Sequence, residues 1–247
     1  MKNNPIFSNI QTGEAYYDTV EDRASYKGVC IKTFIFLGIT VLVAALVAFY
    51  LPTIITTGNF IPFYMMLAVA SVVGFISVMI GRFKESAAKY AGVIYSICEG
   101  MFVGCLSALC AAVVDKSVII AAFSTLVIFL VILTLYSTGI LRVGSTFRRI
   151  CMAMGFGAIA LVLLTSIASI WVGGEAYFTM MIAVEAFLLI YGSITLCLNF
   201  NEADAVVKSG ASKEAEWCVA LGLIVSLIYI YVEILRLIIL IAARNEK

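Results

Sequence analysis

The sequence predicts an all-α fold: a polytopic membrane protein with seven transmembrane helices. Three observations carry that reading. Of the 247 residues, 63% are hydrophobic and only 13% charged, whereas a soluble domain is roughly half apolar and about a quarter charged. Seven apolar runs each approach or exceed the roughly 20 residues that a helix needs to cross the hydrocarbon. Lys and Arg collect in alternate linkers, the pattern that orients membrane spans. One bundle uses up the chain, which leaves no room for a sizeable soluble domain.

Residues 1–28, MKNNPIFSNIQTGEAYYDTVEDRASYKG, are polar. They lack the basic-then-apolar order of a cleavable signal, so they read as a short, mostly disordered cytoplasmic tail. The seven-helix domain is expected over 29–247, with spans at about 29–51, 61–81, 90–114, 117–141, 150–172, 177–199 and 217–243. The weakest boundary is Asp115-Lys116 between the third and fourth. Gly173, Gly174 and Glu175 read as a tight turn, and the last run is longer than a bilayer requires. The tail and alternate linkers hold twelve cations: Lys2, Arg23, Lys27, Lys32, Arg82, Lys84, Lys89, Arg142, Arg148, Arg149, Lys208 and Lys213. The opposite side holds three, Lys116, Arg244 and Lys247. That bias places the N-terminus in the cytoplasm and the C-terminus outside; the expected location is a plasma (inner) membrane.

Histidine is absent, which removes the commonest metal ligand, general base and near-neutral switch. Proton chemistry must then run through carboxylates. The seven cysteines fall in or at the ends of apolar runs without a CxxC pair, and read as small hydrophobes rather than a disulfide framework. With no Ser/His pair, no paired aspartates inside spans and no fixed metal site, an enzyme is not expected. Neither is a cofactor or a nucleic-acid partner. The expected partners are the lipid bilayer, cations and protons, with a membrane-protein partner left open.

Three glutamates lie inside apolar runs: Glu99, Glu185 and Glu233. An ionisable group at that depth costs several kcal/mol and marks a pathway, a proton relay or a paired internal site. Glu99 adjoins a stripe of small residues in the third span, Gly92, Ser96, Gly100, Gly104 and Ala108, whose four-residue spacing reads as a packing seam. Glu185, Gly192 and Asn199 repeat every seven residues and so share a face. Asn199 and Asn201 read as closing the sixth span, as helix caps or as functional amides. Tyr229, Glu233 and Arg236 share a face of the seventh span, where Glu233 and Arg236 are placed for an intrahelical ion pair. Counting rise along the helices puts Glu185 and Glu233 at similar depth in the outer half, with Glu99 nearer the middle. Carboxylates gathered there share protons, pair with Arg236 or contact a cation such as Ca²⁺, Glu233 and Glu185 being the candidate contacts.

The segments YSICEGMFVGCLSAL, LNFNEAD and IYIYVEILRLI, with NNPIFSN in the tail, resemble the transmembrane Bax inhibitor motif family, most closely a bacterial branch. The resemblance runs from Asn4 to Arg244. It implies a central helix surrounded by six others and a pH-sensitive Ca²⁺ leak. The family's gate is a carboxylate at the inner end of the sixth helix, another in the seventh, and a latching arginine in the second. By this resemblance Glu233 takes the seventh-helix role, with glutamate for the usual aspartate. Arg82 takes the latch, and the sixth-helix acid falls at Asn199 or Asn201. Both are amides and cannot titrate, so Glu202 or Glu185 is left to substitute, or a carboxylate–amide hydrogen bond replaces the acid pair, or this branch does not gate by pH in the family's way. The leading functional expectation is a pH-sensitive cation leak with Ca²⁺ as the permeant ion. The alternatives are a proton-coupled small-solute transporter and a non-transporting regulator of membrane stress or of a membrane protease.

Overall fold

A computed structural model describes residues 23–57, 61–141 and 143–245. Seven helices follow in order: α1 Tyr26–Thr57, α2 Ile61–Phe83, α3 Glu85–Val113, α4 Ser117–Ser137, α5 Ser145–Ala168, α6 Gly174–Lys208 and α7 Ala215–Asn245. Each contains a stretch long and apolar enough to cross a membrane. The expected tail lies outside the described residues as far as residue 22, as do Lys2, Arg142 and Lys247. The bundle ends are termed the N side, where α1 and α7 begin, and the C side, where they finish.

The central helix is α7. Its faces pack on α1, α2, α3, α4 and α6, while α5 lies mainly against α6. A run such as LGLIVSLIYI is apolar on every face, and such a helix is at home only where neighbours cover all of it. Leu221, Ile224, Ile230 and Leu235 are accordingly buried. Two clusters share this helix. One joins Val29, Leu196, Phe200, Leu223 and Ile230; the other joins Phe36, Tyr95, Ala220, Leu221 and Ile228.

The small-residue stripe of α3 is a packing seam against α1. The Phe36 ring fills the space where a Cβ on Gly92 would stand. A Cβ on Gly100 would come within 2.7 Å of the Thr40 carbonyl oxygen, and one on Gly104 within 2.5 Å of the Ala44 carbonyl oxygen. Phe36, Thr40 and Ala44 are themselves four apart, so two matching stripes let the backbones touch. In lipid, where apolar burial does not drive helices together, such close packing does.

Several expected boundaries move, most of all at the end of α6. α6 does not stop at Asn199 but runs nine residues on to Lys208. The segment EADAVVK has no helix breaker, and the end comes at Ser209 and Gly210, whose φ of +68° is the left-handed conformation that finishes helices. The asparagines are therefore not caps. At the other end α6 begins at Gly174, so Glu175 belongs to its first turn rather than to the turn before it. The break between α3 and α4 is made at Lys116, the non-glycine residue at positive φ (61°) among those described.

The N-terminal segment is fastened to the α6–α7 linker. Ala24 N–H donates to Ala211 O at 2.8 Å, and Arg23 forms an isolated bridge with Ser212. Helix α1 begins at Tyr26, so the last residues of the expected tail are part of the bundle. Beneath them Glu216 is buried. Its carboxylate accepts from Ser25 N–H at 2.7 Å and pairs with Lys32 Nζ at 2.7 Å. Lys32 also lies 4.8 Å from the Trp217 ring centroid.

Candidate functional site

The seam between α6 and α7 carries the candidate residues, and they fall into two groups about two to four helical turns apart. Three heptad-spaced positions of α6 all face α7, as their spacing predicts. Glu185 meets Glu233, Gly192 receives the Tyr229 ring, and Asn199 meets Gly222 and Ser226. The antiparallel register is regular, so moving toward the N side on α7 moves toward the C-terminus of α6.

The group nearer the N side holds Arg82, Asn199, Gly222, Ser226 and Glu202. Asn199 is buried. Its side-chain amide donates to Gly222 O at 2.9 Å and to Ser226 Oγ at 2.6 Å. Arg82, in the last turn of α2, pairs with Glu202 across 2.9 Å. A Cβ on Gly222 would stand 2.7 Å from Arg82 Nη1 and 3.0 Å from Asn199 Oδ1. The absence of that atom is what lets guanidinium and amide share the space. A cation beside an amide has a neutral acceptor, and its charge is balanced one turn away by Glu202. Both members of the ion pair are partly exposed, at 34% and 42%, so the pair contributes at most about 1 kcal/mol.

The group nearer the C side holds Glu185, Glu233, Arg236, Tyr229 and Glu99. Glu233 is 2% exposed. Glu185 and Glu233 interact electrostatically, and Arg236 and Tyr229 lie in the same field. Arg236 Nη1 is 3.6 Å from Glu233 Oε1, a loose ion pair that leaves Oε2 free. Among the described residues, Glu185 Oε2 and Glu233 Oε2 are buried with no hydrogen-bond partner. Unsatisfied oxygens of this kind are costly in a low-dielectric interior and mark places that hold a proton, a water or an ion. Glu99 reaches the same place: with Tyr95, Tyr229, Glu233 and Arg236 it lines a cavity of about 210 Å³. The packing of α3 beside α7 is what brings it to the Glu233 cavity.

The structure thus brings together Arg82, Asn199 and Glu202, and separately sets Glu233 and Arg236 against Glu185 across the α6–α7 seam and against Glu99 across a cavity beside α3. It does not bring Glu233 to Asn199. The partner of Asn199 on α7 is Ser226, seven residues before Glu233 and about 10 Å away along the axis. Asn201 joins neither group, since it faces a different gap between helices, lined also by α1 and α4. Reading the sequence passed over Ser226 and Gly222. The available signal was the continuation of the Glu233 face back toward the N-terminus: Gly222, Ser226, Tyr229 and Glu233 follow one another at steps of three or four.

A bundle of seven membrane-length helices built around the buried α7, with acids in its seams, defines a multi-pass membrane protein. The chain belongs to the Bax inhibitor 1 like family, whose family model matches residues 4–243. Among individual curated proteins, none matches it.

Proposed function

We propose that the protein is a pH-sensitive cation leak of a bacterial inner membrane, with Ca²⁺ as the permeant ion, the N side cytoplasmic and the C side outside. The observation that carries this reading is the pair Glu185–Glu233, facing each other between α6 and α7, each with a buried oxygen that no hydrogen bond of good geometry reaches. Two carboxylates so placed cannot both stay charged alone. They hold a proton between them, or they draw in a cation. With the proton bound, the attraction for a cation falls; with the proton lost, it rises. Arg236 supplies partial compensation and limits how strongly an ion is retained, which suits passage rather than storage.

The path continues past Tyr229, whose ring lies against Gly192, to the group of Arg82, Asn199 and Glu202. There the latch pairs Arg82 with Glu202 rather than with an acid at position 199. No three Asp, Glu, Cys or His side chains among the described residues gather as a metal-ligand set. The acids are instead spread along the seam, as a leak requires. Flux of Ca²⁺ into liposomes, followed against pH, tests the reading: it should change with pH and fall in Glu233→Gln. Identical conduction by the two proteins would remove Glu233 from the gate.

A proton-coupled small-solute transporter is the second reading, favoured by a second acid, Glu99, lining the same cavity as Glu233. The size of that cavity, about 210 Å³, lies below the ~300–1,000 Å³ of ordinary small-molecule sites, and supports an ion over a solute. Saturable uptake of one solute driven by a proton gradient would reverse that order.

A further inference from the structure

A second cavity, of about 1300 Å³, lies away from the acid seam. It is bounded by α1 and α4 and backed by α3, α6 and α7. On α1 its lining runs from Tyr26 to Ala48, a rise of about 33 Å, which matches the ~30 Å of the hydrocarbon. Its walls are apolar for almost the whole length. Two charged residues line it, Asp204 and Lys208, both at the N-side end. They pair at 2.7 Å, and Asp204 also accepts from Tyr26 Oη at 2.5 Å. Tyr136 lines the same end.

We propose that this cavity is a phospholipid site, holding acyl chain along its apolar length and a zwitterionic head group at Asp204 and Lys208. Length and charge single out this occupant. The volume also exceeds the ~300–1,000 Å³ of a compact small-molecule pocket, and the shape is that of a chain. A head group that bears an ammonium and a phosphate meets its complement in one carboxylate and one ammonium, four residues apart on α6. Tyr26 and Tyr136 stand at that level, as aromatic residues do at membrane interfaces. Charged groups at one end only match a molecule with one charged end. The inference is independent of the proposed leak.

The full chain, reconstituted in vesicles of equal phosphatidylethanolamine and phosphatidylglycerol, is extracted in mild detergent. Retained lipid is then counted by native mass spectrometry and identified by extraction. Wild type should keep at least one phospholipid after bulk lipid is stripped, with phosphatidylethanolamine enriched several-fold. Ala45→Leu with Ala122→Leu, which fills the cavity from α1 and α4, should lose that lipid while its melting temperature stays within a few degrees. Asp204→Asn, which removes the charge facing the ammonium and keeps a hydrogen-bond acceptor for Tyr26, should keep a lipid but lose the enrichment. Three results would overturn the proposal: no retained lipid in wild type, equal retention in the filled variant, or a dimer cross-linked through the cavity in place of lipid.

Discussion

Asn199 on α6 donates to Ser226 Oγ on α7 at 2.6 Å, and Arg82 stands beside it over Gly222. An amide and a hydroxyl thus face one another where the family resemblance leads one to expect an acid. Neither titrates near neutral pH. Whatever pH sensing the protein has must come from elsewhere along the seam.

Restoring the acid should create a second sensor. In Asn199→Asp the new carboxylate would lie next to the Arg82 guanidinium and compete with Glu202 for it. Ionised, it ties α2 to α6; protonated, it lets go. The expected outcome is a leak several-fold lower than wild type at neutral pH that recovers as pH falls. Liposome flux across a pH series checks this.

The Arg82–Glu202 pair should matter more to conduction than to folding. Both side chains are partly exposed, and such pairs contribute at most about 1 kcal/mol. Glu202→Gln should leave the melting temperature of the detergent-solubilised protein within a few degrees of wild type while changing flux. A large loss of stability with unchanged flux would make the pair structural.

At the N side, by contrast, the ion pair is structural. Glu216 is 3% and Lys32 13% exposed in their side chains. Lys32→Met removes the cation and leaves a buried carboxylate with Ser25 alone, at a cost of about 3 kcal/mol. Removing both charges in Lys32→Met/Glu216→Leu should recover part of that loss, because the unpaired charge goes with them. Thermal unfolding of the single and double variants gives the comparison.

The α1–α3 seam gives the most local prediction. Gly104→Ala places a methyl 2.5 Å from the Ala44 carbonyl oxygen, and backbone on both sides leaves little to yield. Overpacking of this kind costs about 1–3 kcal/mol. Gly157→Ala on α5, where a Cβ meets nothing within 4 Å, is the matched control and should be neutral or slightly stabilising.

The helices were legible in the sequence because apolar length and Lys/Arg placement are physical requirements of a bilayer, and both lie in the linear order. The α3 stripe was legible for the same reason: helical periodicity puts its glycines on one face before any partner is known. The heptad face of Glu185, Gly192 and Asn199 also survived unchanged. What rise along single helices could not give was register between them. Glu233 and Asn199 each belong on the α6–α7 seam, yet only packing decides that Ser226, not Glu233, meets Asn199. In the same way, Asn199 and Asn201 read as a helix end because the apolar run stops there. The helix itself continues on residues that are polar but still good helix formers. Glu99 joined the Glu233 group through the way α3 lies beside α7, which nothing in its own segment encodes.

The central claim is that Glu233 sets the electrostatics of the path, and Arg236, 3.6 Å away, opposes it. Ca²⁺ flux into liposomes at matched protein content, measured against pH for wild type, Glu233→Gln and Arg236→Gln, tests this directly. Removing the carboxylate leaves Arg236 uncompensated, so Glu233→Gln should lose flux several-fold and most of its pH response. Arg236→Gln should gain flux. Equal flux from all three proteins at every pH would contradict the account.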